Sequence, residues 1–221
     1  MKKVMVVAPH PDDETLGCGG ALLKHEDNGD KIYYLLITSM NRSGGWSAKQ
    51  INKRDIEIKK VEKLFGFKKS FSLGFNTSKL DMIPMADIIS SMREVINKIK
   101  PEVIYVPCGN DAHTDHQIVS KATSAFSKWF RYPFIKEILE YETISETDFN
   151  FVSEQSFKPN MYIDISKFFL KKLKIMKLYQ SELQKPGNPR SIESIEALAK
   201  LRGSQSGFKF AESFRIILQR K

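Results

Sequence analysis

An α/β fold of the Rossmann-like kind, a mostly parallel sheet with helices on both faces and a site at the C-terminal ends of its strands, is predicted by three features. Apolar runs of strand length alternate with stretches of helical periodicity, the order that produces parallel strands joined by covering helices. The first runs are almost continuously apolar, as strands buried on both faces must be. Turns carrying acids and histidines follow two of these runs, where open α/β sheets bind their ligands.

The elements follow in order. "KKVMVVA" reads as a buried strand, "DETLGCGGALLKHEDNG" as a helix closed by Gly29, and "KIYYLLIT" as the next strand. A flexible loop, "SMNRSGGWSAKQ", leads to a helix from about Ile51 to Phe65 that stops at Gly66, then a short strand near "SFSLGF". Met85, Ile88, Ile89, Met92, Val95, Ile96 and Ile99 stand at helical spacing, with Pro101 just beyond, before the strand "EVIYVP". A further helix is expected from about Asp115 to Phe130, with Ile118, Ala122, Ala125, Phe126 and Trp129 inward. In the last third, "FIKEILEYE", "NMYIDIS" and "FKFAESFRIIL" complete the sheet edge and the wall of the site. "KFFLKKLKIMKLYQ" is an amphipathic surface helix with Phe169, Leu173 and Met176 on one face and Lys167, Lys171, Lys174 and Lys177 opposite.

Composition bounds the rest. A chain of 221 residues, 41% hydrophobic, suits one domain over residues 1–221 with a full core. Cys18 and Cys108 fit no disulfide framework and no zinc-knuckle spacing, which points to a reducing compartment. The N-terminal apolar run is too short for a signal peptide and nothing approaches a membrane span, so a cytoplasmic location is expected. The 35 Lys and Arg outnumber the 26 Asp and Glu, giving +9, but the charge is spread and no nucleic-acid signature accompanies it. An anionic small molecule is therefore favoured over a nucleic-acid partner.

"APHPDDETLGCGG" places His10, Asp12 and Asp13 just past the first strand, and "HTDH" places His113, Asp115 and His116 just past "EVIYVP". Turn chemistry explains some of these acids, since Asp and Glu favour turns and helix N-termini. It does not explain three of the four histidines converging on one rim, with only His25, expected on the exposed side of its helix, elsewhere. Two histidines and a carboxylate are the donors zinc accepts where a catalytic site keeps a position open. Cys108 is a weaker candidate, better read as packing. Glu14 reads as a first-turn helix acid. Gly17, Gly19 and Gly20 allow close helix packing and do not form a nucleotide fingerprint.

The run "APHPDDETLGCGGALL", together with "HTDH", "RDIE" at 54–57 and "GFKFAESF", resembles the PIG-L/LmbE-like family of zinc-dependent N-acetylglucosaminyl deacetylases. The resemblance implies zinc ligands at His10, Asp13 and His116, and a general base at Asp12. It also implies a histidine, His113, that stabilises the tetrahedral intermediate, with Asp115 orienting it, and a substrate-side arginine at Arg54. Tyr141 and Glu212 fall in segments similar to the family's later stretches without an assigned role. The implied substrate is an N-acetylated amino sugar, free, nucleotide-linked or lipid-linked; a chain without the membrane anchor of the eukaryotic members is expected here, which separates it from their membrane-bound substrate.

These residue types suit the reaction. An amide is a poor electrophile and water a poor nucleophile; zinc assists both, a nearby carboxylate takes the water's proton, and a histidine donates to the developing oxyanion. Arg42, Lys49, Lys53 and Arg54 follow the second strand with Trp46 among them, which suggests a phosphate-bearing substrate. Two other readings stay open: a metal-dependent amidase acting on a non-sugar N-acyl amine, and a magnesium-binding receiver-like signalling module, which leaves the histidines unexplained.

Overall fold

The computed structural model describes residues 1–151 and 156–221. Its sheet has seven strands, in the order β3 (Lys69–Asn76), β2 (Lys31–Ser39), β1 (Lys3–Ala8), β4 (Val103–Pro107), β5 (Glu137–Tyr141), β7 (Ala211–Gln219), β6 (Met161–Asp164). The first five run parallel; β7 joins the β5 edge antiparallel, and β6 pairs antiparallel with β7, so that only β7 runs against the rest. The helices are α1 (Asp13–Asp27), α2 (Ala48–Phe65), α3 (Met85–Ile99), α4 (Thr114–Thr123), α5 (Phe169–Met176) and α6 (Ile192–Ser206).

The unbroken apolar character of β1 has a direct cause, because both faces of the strand are covered. Val4, Val6 and Ala8 enter a core shared with α1, α2, α5 and α6, while Met5 and Val7 enter a second one beneath α3 and α4. The strand order reverses at β1, which pairs with β2 on one side and β4 on the other. A crevice opens beyond the carboxyl ends of two strands at such a reversal. The two motif-bearing turns follow these two strands.

The structure corrects several local expectations. The helix beginning near Asp115 ends at Thr123 and passes into a 3₁₀ turn at Ser124–Ser127, so Trp129 is 61% exposed and Val119 takes the inward place. The loop at 39–50 is shorter than expected. Ser47 and Gln50 form a reciprocal capping box that starts α2 at Ala48. His25 is not on an open face: Nδ1 lies 2.8 Å from Asp30 and Nε2 3.0 Å from the buried Tyr105 hydroxyl. Among the lysines of α5, Lys172 is buried in an ion pair with Glu212 at 2.7 Å. Helix α6, capped by Ser191 and closed by the left-handed Gly207, carries too little apolar periodicity to stand out in the sequence.

Candidate metal and active site

The turn after β1 is anchored by the Pro9 carbonyl, which accepts from the Thr38 backbone N–H at 3.0 Å and from its hydroxyl at 2.7 Å. Asp12 then adopts φ 121°, a conformation non-glycine residues rarely take and one that has to be held by its surroundings. Its carbonyl accepts from Thr15 and Leu16, launching α1. The two neighbouring carboxylates consequently serve different partners: Asp13 Oδ2 accepts from the His10 backbone N–H at 2.9 Å, while Asp12 Oδ2 lies 3.1 Å from Arg190 Nη1. The second turn is built the same way, with His113 capping α4 by accepting the Asp115 backbone N–H on Nδ1 at 3.1 Å.

Three donor atoms converge from these turns. His10 Nδ1, Asp13 Oδ2 and His116 Nε2 form a triangle with edges of 3.4, 3.2 and 3.3 Å. Nitrogen and oxygen donors held at roughly 2.0–2.2 Å by a tetrahedral ion stand roughly 3.3–3.6 Å apart, so the triangle matches the chemistry of its donor set. The outer ring nitrogens are held by carboxylates: His10 Nε2 lies 2.9 Å from Asp115 Oδ2, and His116 Nδ1 lies 2.7 Å from Asp111 Oδ2. A carboxylate behind each imidazole fixes the tautomer that turns a lone pair inward, the arrangement seen behind metal-bound histidines.

The charges obey the same logic. Burial opposes protonation of His10, but bonds to Asp115 and Asp13 outweigh it and raise its pKa to about 9. His116 is carried up to about 10, against burial, by Asp13 and Asp111. In the metal-free chain, protons thus supply the positive charge that these acids require. Asp12 behaves oppositely: burial and the neighbouring Asp13 charge push its carboxyl well above the usual carboxylate range, against the pull of Arg190. His113 is depressed by burial and by the adjacent His10 and His116, which favours the neutral ring.

A cleft of about 220 Å³ lies over this centre, lined by His10, Asp12, Trp46, Arg54, His113 and Arg190 among others. All seven site residues expected from the sequence fall at this rim, with one altered partnership. The Asp115 carboxylate does not orient His113; it bonds His10 and the backbone N–H groups of Ser78 and Leu80, and meets His113 only through its own backbone N–H. Arg54 lies in the wall, 5% exposed, with Nη2 hydrogen-bonded to Glu182. Arg42 and Lys49 are exposed and outside the cleft lining.

Three contributors escaped sequence reasoning. Asp111 stands five residues before His116, close enough for its acid to have been noticed. Arg190 and Glu182 come from the segment between α5 and α6, where nothing in the local pattern singles them out. Arg190 joins Asp12, Glu182 at 3.2 Å, Glu146 at 2.8 Å and the Ser145 hydroxyl at 2.7 Å.

Residues 5–127 match the model of the PIG-L family, described as GlcNAc-PI de-N-acetylase. The chain belongs to this family. A diacetylchitobiose deacetylase of Thermococcus kodakarensis is 25% identical over 98% of this chain and 84% of its own length. The solved N,N′-diacetylchitobiose deacetylase from Pyrococcus horikoshii superposes with a TM-score of 0.77 at 23% identity, covering 98% of this chain and 84% of that one. A 4-carboxy-2-hydroxymuconate hydratase from Pseudomonas putida KT2440 gives 0.74 at 16% identity, covering 100% and 98%. These structural likenesses speak to the fold, which carries hydratase as well as deacetylase chemistry, so the reaction must be argued from the site. Family membership removes the receiver-like reading. Among the described residues, no helix is long and apolar enough to cross a membrane.

Proposed function

We propose that this protein is a zinc-dependent hydrolase that removes the acetyl group from an N-acetylated amino sugar, working as one domain over residues 1–221 in the cytoplasm. The observation that carries the proposal is the His10–Asp13–His116 triangle with the Asp12 carboxylate beside it on the cleft side. Two free, buried cysteines accord with a reducing compartment.

His10, Asp13 and His116 would hold the ion. When bound, it supplies Lewis acidity that polarises the amide carbonyl and lowers the pKa of water to about 7. Asp12 takes one proton of the attacking water and returns it to the leaving nitrogen, so that a neutral amine departs and the acetyl group leaves as acetic acid, which gives its remaining proton to solvent to become acetate. Arg190 fixes Asp12 by its bond to Oδ2, leaving the other carboxylate oxygen for this transfer. His113 accepts a backbone N–H on Nδ1, which places its proton on Nε2, the atom available to donate to the oxyanion as charge grows there. Asp115 and Asp111 steady the two ligand imidazoles. Arg54 and Trp46 flank the sugar.

Purified protein should contain one zinc per chain and release acetate and free amine from an N-acetylglucosamine-containing substrate. His116→Ala should lose both the metal, by elemental analysis, and turnover. Full metal and full turnover in that variant would sink the assignment. Acetate release from sugar-free N-acyl amines but from no sugar would transfer the chain to the amidase reading.

A further inference from the structure

Basic residues dispersed through the sequence collect at one end of the sheet, the end opposite the cleft. Backbone hydrogen bonds tie them into a row. The Lys31 N–H donates to the Lys2 carbonyl at 2.9 Å, and the N–H groups of Glu102, Lys136 and Arg220 donate to Lys3, Glu102 and Lys136 in turn, each at 2.8 Å. The row crosses β2, β1, β4, β5 and β7, five strands that at the usual spacing span about 20 Å. Glu102 is its one acid, and it accepts the Lys3 backbone N–H at 3.2 Å. The nearby acids are engaged elsewhere: Asp30 bonds His25 and the Lys2 backbone N–H, and Asp27 pairs with Lys167. Lys3 and Arg220 bond neutral carbonyls, of Ile99 and Ile135. Lys68, Lys100 and Lys221 stand exposed beside the row.

At the β5–β7 end of this row the chain raises two large rings into water, Trp129 at 61% and Phe130 at 63% exposure. They sit at the tip of a turn in which the Lys128 carbonyl accepts the N–H groups of Arg131 and Tyr132. The turn is firmly footed, because Phe126 and Tyr132 on either side of it are buried with their rings 5.2 Å apart, edge to face. Arg220 of the row lies 5.8 Å over the Trp129 ring, Arg131 lies 5.8 Å over the Phe130 ring, and the two rings meet edge-on at 6.1 Å.

Solvation of a sheet end accounts for lysines at strand starts, but not for paired aromatic rings held out from a buried footing. Such rings settle at the head-group level of a bilayer, while Lys and Arg beside them attract anionic lipids. A nucleic acid would also use the cations, but it stacks its bases on open ring faces. Here each ring has a guanidinium on one face and the other ring at its edge, an apolar body set between cationic heads. We infer that this end of the sheet docks the protein on an anionic lipid surface, with Trp129 and Phe130 entering the head-group layer and the cationic row facing the lipid phosphates. The donor triangle lies about 20 Å away, at the other end of the six residues of β1. The cleft therefore stays open to water in the docked protein.

Zinc-loaded wild-type protein is sedimented with vesicles of phosphatidylcholine alone, or of equal parts phosphatidylcholine and phosphatidylglycerol. It should bind the mixed vesicles at low salt, leave them at high salt, and ignore the neutral ones. Brominated lipid should quench the fluorescence of Trp129 but not of Trp46 at the far end, so Trp129→Phe should abolish the quenching while binding persists. Arg131→Gln with Lys136→Gln should weaken binding about 25-fold, since each cation at such a surface contributes about fivefold. Trp129→Ser with Phe130→Ser should weaken it by about tenfold or more through lost apolar contact. All four side chains are exposed, so the urea midpoints should stay at the wild-type value. No binding to the mixed vesicles, binding unmoved by salt or by both pairs of substitutions, or quenching that survives Trp129→Phe would each overturn the docking. Tighter binding to RNA than to the vesicles would overturn it in favour of a nucleic acid. Self-association in place of vesicle binding, abolished by Trp129→Ser with Phe130→Ser, would make the rings a contact between copies of the chain.

Discussion

Asp12 and Asp13 are chemically identical neighbours with different work, and the backbone divides it. The φ of 121° at Asp12 turns its carboxylate to Arg190 while Asp13 stays in the donor triangle. Asp12→Asn keeps the shape and a hydrogen-bond acceptor for Arg190 but removes the base. Zinc content should stay at the wild-type level while turnover falls about 10²- to 10⁴-fold, the usual contribution of a positioned general base. His113→Ala should likewise retain metal and lose on the order of 10²-fold or more through its missing donor. Both act on one transition state, so the double variant should lose less than the product of the single losses. An empty metal site in Asp12→Asn, shown by elemental analysis, would make Asp12 a ligand and reverse the two roles. Near-wild-type turnover would send the search for a base to Glu14 or His113. Of the two, Glu14 already bonds the Thr15, Tyr179 and Tyr34 hydroxyls.

Helix α1 carries the acids of the site on a shaft broken at Cys18, where φ −143° and ψ 18° leave the helical region. The break is sealed by α5, which packs on the same face of the sheet as α1, and by the strand β7. Glu212 on β7 accepts from Gly20 N and Ala21 N at 2.8 Å each, and Lys172 on α5 bonds both Glu212, at 2.7 Å, and the Leu16 carbonyl, at 2.9 Å. A buried charge left without its partner typically costs about 3–5 kcal/mol. Lys172→Met or Glu212→Gln should therefore lower the urea midpoint by an amount in that direction, Lys172→Met the more, and the double variant should lose less than the sum of both. Losses under about 0.5 kcal/mol for each would make the pair a bystander. This element also shows where sequence reading stops. The acids and histidines were legible because they lie within a few residues of strand ends, and strand ends can be read from apolar runs. The Lys172–Glu212 pair and Arg190 come from segments more than 150 residues from the motif they serve, and their partners are set by how α5 and β7 dock, which no local period encodes. Gly17 was legible as a packing glycine, but not its partner. A Cβ there would stand 2.1 Å from the Tyr141 ring, whose hydroxyl donates to the Val7 carbonyl.

At the scale of the molecule, the donor triangle ties together turns about a hundred residues apart, joining the carboxyl ends of β1 and β4 where the strand order reverses. A ligand that binds only the folded state stabilises it, by about 2.7 kcal/mol at a free concentration a hundredfold above Kd. For a chain of this size that corresponds to a rise in Tm of about 5–10 °C. The increment should depend on pH with a definite sign. In the metal-free protein, His10 and His116 are raised to about 9 and about 10 from the ordinary 6.5. Groups raised on folding stabilise fully below the unfolded pKa, and that contribution is lost as pH climbs through the folded values. The metal-free protein should thus lose stability from these groups between about pH 6.5 and 10. Zinc has to displace the same protons, so its affinity should increase over that window and release fewer of them as pH rises. Thermal melts with and without zinc should show the two curves diverging between pH 6.5 and 9, and His116→Ala should collapse the difference. A zinc-induced shift independent of pH, or one that survives His116→Ala, would place the stabilising ion somewhere other than between β1 and β4.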